Sequence, residues 1–106
     1  MKKVIGRFYF KKTINGNLLG EFSNNFTSKN YTESADLTSK TKKEDFVGLY
    51  ISTWHDDEAC VAKLDISRNK DLYNLKWTEG GNFDGQGMLC ENNILIGNYW
   101  SVLEEK

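Results

Sequence analysis

A glycine followed two residues later by an aromatic ring occurs at Gly6-Arg7-Phe8, Gly20-Glu21-Phe22, Gly48-Leu49-Tyr50 and Gly97-Asn98-Tyr99. Each pair lies in a run where residue character alternates with period two, the pattern of a β-strand rather than a helix. Glycine and ring then share one face of the strand. The glycine lets the sheet bend sharply, and the ring covers the backbone left bare. Repeated curvature of this kind is what a sheet needs to close on itself.

The best-patterned stretch, Phe83 to Trp100, reads as one hairpin with two alternating runs meeting at Asn92-Asn93. Val4–Thr13 and Asn17–Ser23 form another around Asn15-Gly16, for which a type I′ turn is expected because both its central positions need positive φ. Phe46–Trp54 is apolar on both faces, Ala59–Ile66 follows a charged turn at His55-Asp56-Asp57-Glu58, and Leu72–Thr78 follows a turn at Ser67–Asp71. Asn24–Asp45 is polar. A weak strand over Tyr31–Thr38, with Tyr31, Ala35 and Leu37 on one face, competes there with a mobile loop. About eight strands joined mostly by short turns predict an all-β, single antiparallel up-and-down barrel, the alternative being a β-sandwich. In such a barrel the first and last strands pair, and Val4–Tyr9 resembles Leu95–Trp100.

The 106 residues suffice for one domain, 1–106, with a real core. With 14 basic and 15 acidic side chains the net charge is −1, so no overall field attracts nucleic acid or an anionic membrane, and no apolar run approaches the ~20 residues of a spanning helix. Proline, the residue least compatible with a ladder, is absent. Cys60 and Cys90 have neither CxxC spacing nor histidine neighbours, so they are expected reduced and buried. Arg7 and Lys11-Lys12 interrupt the N-terminal apolar run, which leaves no signal-peptide core and makes a cytoplasmic protein the expectation.

With the rings inward, the lumen receives Phe8, Phe10, Phe22, Phe46, Tyr73 and Phe83, together with Tyr50, Ser52, Trp54, Trp77, Tyr99 and Ser101. The last six combine aromatic walls with hydroxyl groups and are the candidate ligand-binding set, although eight strands also leave an interior that side chains can just fill. The opposite faces carry Val47, Leu49, Ile51, Ile96 and Trp100, apolar enough to predict an interface between copies of the chain.

The pattern as a whole resembles the small meander barrels of the calycin group, avidin-like proteins and lipocalins. The lipocalin Gly-x-Trp step is approximated by Gly6-Arg7-Phe8, with Phe8 in place of tryptophan. The resemblance implies a binding barrel without implying a ligand. Other signals are weaker. His55–Glu58 are consecutive turn residues that seldom converge on one ion, so no metal or other cofactor is expected. Glu33 and Asp84 have no spacing that suggests a glycosidase pair. Gly85-Gln86-Gly87 lacks the strand-to-helix context of a phosphate loop, and Lys40, Lys42 and Lys43 are balanced by Glu44 and Asp45. The sole histidine has no recognisable catalytic partner. The leading expectation is therefore non-enzymatic binding of a small hydrophobic or aromatic molecule in the lumen, by a homo-oligomer with no nucleic-acid or membrane partner. The alternative is a protein-interaction module with a filled interior.

Overall fold

The structure, a computed structural model, describes residues 3–38, 45–55, 58–91 and 93–102. The strands are β1 (Ile5–Lys12), β2 (Leu18–Asn24), β3 (Tyr31–Leu37), β4 (Gly48–His55), β5 (Ala59–Asn69), β6 (Leu72–Thr78), β7 (Phe83–Cys90) and β8 (Ile94–Ser101). They follow one another in order around a closed barrel, every neighbouring pair antiparallel, and β1 closes it against β8. The sandwich alternative is excluded. The polar stretch does hold a strand, β3, which pairs with both β2 and β4 in place of a mobile loop.

Glycine lets neighbouring strands approach closely. Gly87 of β7 and Gly97 of β8 are register partners, and a Cβ on Gly97 would stand 2.7 Å from the Gly87 Cα and collide with the Gln86 carbonyl oxygen. On β1, a Cβ on Gly6 would strike the ring of Tyr99, its register partner on β8. The ring that covers bare glycine backbone comes here from the neighbouring strand, as it also does where Phe10 of β1 lies against Gly20 of β2.

Up-and-down topology gives the barrel two unlike ends. The β1–β2, β3–β4, β5–β6 and β7–β8 connections lie at one end. The others, with Val4 and Val102, lie at the opposite end. The first end is closed. Phe46, from the connection before β4, is buried against Tyr73 with ring centroids 6.2 Å apart. The Tyr50 hydroxyl donates to the Phe46 carbonyl at 2.8 Å and accepts from Lys12 Nζ at 3.0 Å. Lys12 also donates to the Asp45 carbonyl and lies over the Phe46 and Tyr50 rings. Burial pushes the Lys12 ammonium down while the Asp45 carboxylate acts the other way, and burial pushes the Tyr50 phenol up. Phe10, Leu18, Leu64, Ile66 and Leu95 complete the packed core.

Three local expectations change. The β1–β2 loop is not a two-residue type I′ turn: the Gly16 amide bonds the Thr13 carbonyl at 3.0 Å, and Gly16 (φ 89°) has positive φ whereas Asn15 does not. It is the three-residue loop Ile14-Asn15-Gly16 with a left-handed last residue, closed by the Thr13 amide on the Asn17 carbonyl at 2.7 Å. β5 continues through Ser67-Arg68-Asn69, which pair with β6, and Arg68 lies over the ring of its register partner Tyr73. The cysteines form no disulfide and are not core residues: Cys90 is exposed on the outer face beside Met88, and Cys60 is half-buried near the open end of β5.

Candidate functional site

At the open end the lumen is not filled. A cavity of about 100 Å³ opens between the rings of Phe22, Trp54, Trp77, Phe83 and Tyr99, with Val4 and Asn24 at its edge. Parity brings these rings inward from β2, β4, β6, β7 and β8, and their edge-to-face packing fixes their orientation. Phe22 meets Tyr99 at 6.0 Å and Trp54 at 6.4 Å, and Phe83 meets Tyr99 at 5.8 Å. The Asn24 amide donates to the Tyr99 hydroxyl at 3.1 Å.

The same cavity is lined by a carboxyl group. Glu33 of β3 occupies an inward position between Tyr31 and Ala35 and is only 5% exposed. Its Oε2 accepts two hydrogen bonds, from Ser52 Oγ at 2.5 Å and from Trp77 Nε1 at 2.8 Å. Among the described residues Oε1 accepts none, and no Lys, Arg or His lines the cavity. Desolvation raises the Glu33 pKa to about 7, while the two hydrogen bonds act in the opposite direction and limit the rise. The site therefore offers a carboxyl that changes charge near neutrality, presented through one oxygen that has no partner among the described residues and framed by five rings.

The candidate residues fall into separate places. Trp54, Trp77 and Tyr99 line the cavity. Ser52 is fully buried behind it as a donor to Glu33, and Tyr50 belongs to the plug at the closed end. Ser101 ties the rim of the seam: its Oγ accepts from the Val4 amide at 2.9 Å, and its amide donates to the Val4 carbonyl at 2.9 Å. Glu33 was visible only as a carboxylate without a partner, yet the Tyr31, Ala35, Leu37 face already gave its parity. Asp84 does not converge with it. That side chain lies on the outer surface, 3.7 Å from Lys76 Nζ.

The outer apolar residues do not make one face. Leu49 and Ile51 stand on β4 and Ile96 and Trp100 on β8, strands separated by half the circuit of the barrel, while Val47 packs against the core. Leu49 is 51% and Ile96 54% exposed. Trp100 lines a polar outer groove with Asp65, Lys76 and Asp84. Of the charged turn only His55 and Glu58 are described. Asp56 and Asp57 lie outside the described residues, as do Lys40, Lys42, Lys43 and Glu44. Among the described residues no group of three or more His, Cys, Asp or Glu side chains could hold a metal ion.

Comparison of the chain with protein-family models, curated proteins and solved structures finds no match, so what stands established is an eight-stranded, all-antiparallel closed barrel of meander topology, without a family assignment.

Proposed function

We propose that the protein is a cytoplasmic, non-enzymatic binding barrel that takes a small hydrophobic or aromatic molecule into the open end of its lumen, in the manner its likeness to calycin-type barrels implies. The observation that carries this is the Glu33 carboxyl set at the back of an otherwise aromatic cavity. A carboxyl adds nothing to a core built only for packing, because desolvating it is costly unless its hydrogen-bonding capacity is used. Here Trp77 and Ser52 satisfy one oxygen and leave the other for an occupant. Aromatic walls with one or two fixed polar groups are the usual composition of a small-molecule site. Rings supply the affinity and Glu33 sets orientation.

The test is a fragment screen read by NMR, using single-ring compounds. The expected result is shifts concentrated on the Trp54 and Trp77 indole N–H signals and on Tyr99, with the β1–β2 end unmoved. Absence of shifts across the screen, or shifts confined to the outer surface, contradicts the proposal. Native mass spectrometry after mild purification is a complementary measurement, in which mass above that of the bare chain supports an occupant.

A second reading, association between copies, is favoured by a row of exposed apolar residues across three strands, Met88, Ile96 and Tyr9, which are register partners. Light scattering on Ile96→Lys distinguishes it: a fall in mass supports an interface on this row, and a monomeric parent chain refutes it.

A further inference from the structure

The chemistry of the cavity narrows its occupant further. Once ionised in a desolvated site, a carboxylate is stabilised by a partner of opposite charge. The groups facing Glu33 are Phe22 and Asn24 from β2, Ser52 and Trp54 from β4, Trp77 from β6 and Tyr99 from β8. None carries a positive charge, and the only other titratable group among the lining residues is the Tyr99 phenol, engaged by the Asn24 amide. Both protein donors converge on Oε2, and among the described residues none supplies a positive partner to Oε1. The ring faces of Trp54, Trp77 and Phe22 carry negative quadrupole potential, which attracts a cation and repels an anion. The donors left in the lining, such as the Trp54 indole N–H, are neutral, so a ligand with only acceptor groups meets a carboxylate and gains no charge-assisted bond there.

Resting on the binding-barrel reading, we infer that the occupant is an organic cation, a protonated amine on a small apolar or aromatic body, whose N–H groups bond Glu33 Oε1 while its charge lies among the rings. The size agrees: a cavity of about 100 Å³ open at its mouth admits an ammonium group and part of one ring, the remainder projecting towards solvent. The Glu33 carboxyl also makes occupancy pH-dependent, because cation binding requires the ionised form and competes with its proton. Its folded-state value of about 7 places the change near neutrality.

The experiment compares benzylamine with benzyl alcohol, two probes of similar shape that differ in charge, by calorimetry at about pH 8, where an alkylamine remains protonated. Binding of the amine at least about tenfold tighter than the alcohol, with the preference lost in Glu33→Gln, is expected. On the unaltered protein, amine affinity should fall towards about tenfold per pH unit below the Glu33 midpoint, whereas alcohol affinity should not. That pH series needs no substitution and stands whether or not Glu33→Gln folds. Equal binding of the two probes overturns the cation inference and leaves the binding barrel intact. Binding of neither overturns both.

Discussion

Glu33 is the residue whose environment departs furthest from what its chemistry prefers. Its ordinary pKa of 4.5 becomes about 7 in the folded protein. Between these values the folded chain holds a proton that the unfolded chain has lost, so folding stability decreases as pH rises through the window. The penalty is absent below the lower value and complete above the upper one, where it amounts to about 3 kcal/mol. Glu33→Gln keeps a carbonyl oxygen to accept from Ser52 and Trp77 and carries no charge. Urea unfolding at about pH 8 should therefore find the variant more stable than the parent by about 2–3 kcal/mol, the gap closing to within about 1 kcal/mol near pH 4. An unchanged gap at both pH values means that ionisation of Glu33 is not what costs stability. The hydroxyl of Tyr50, at the closed end, behaves differently. It is enclosed between the Phe46 carbonyl and Lys12, and Tyr50→Phe should cost about 1–3 kcal/mol in the same measurement by leaving both partners less satisfied.

At the level of elements, the strands and their inward faces were legible because period-two alternation survives in every one of them. The inward rings of β1, β2, β6 and β8 follow directly from it. β3 was the weakest because its outward positions Thr32, Ser34 and Asp36 are polar and its inward row contains Glu33. A carboxylate in a polar stretch suggests solvent, and nothing within β3 shows that Ser52 and Trp77 supply donors. Trp77 approaches from β6, three strands away, so the pairing exists only once the barrel has closed. Outward contacts were less legible for the same reason: Leu49 and Ile96 look alike in sequence and end on opposite sides. The close approach of β7 and β8 depends on positions without side chains. Gly97→Ala places a methyl group against the Gln86 carbonyl and the Gly87 Cα, and should destabilise by about 1–3 kcal/mol in thermal or urea unfolding. No loss there means that the seam has room which the close approach denies.

For the whole molecule, the consequence of closure is that no strand is an edge. Amides of the β1–β8 seam, such as those pairing Phe8 with Gly97, should exchange as slowly as the corresponding amides of β4 and β5. Fast exchange confined to β1 and β8 implies an open sheet. The barrel also divides its interior between two tasks: the Phe46, Tyr50 and Tyr73 end is packed and hydrogen-bonded, while the Trp54, Trp77 and Tyr99 end keeps a cavity with a carboxyl at its back. Close packing and an open cavity thus occupy opposite ends of one lumen. The most direct measurement of that division is an NMR titration of the Glu33 side-chain carboxyl carbon, alone and with saturating benzylamine. The expected midpoint is about 7 without the amine and lower with it. A midpoint at the ordinary 4.5, unmoved by the amine, contradicts a desolvated carboxyl that awaits a cation.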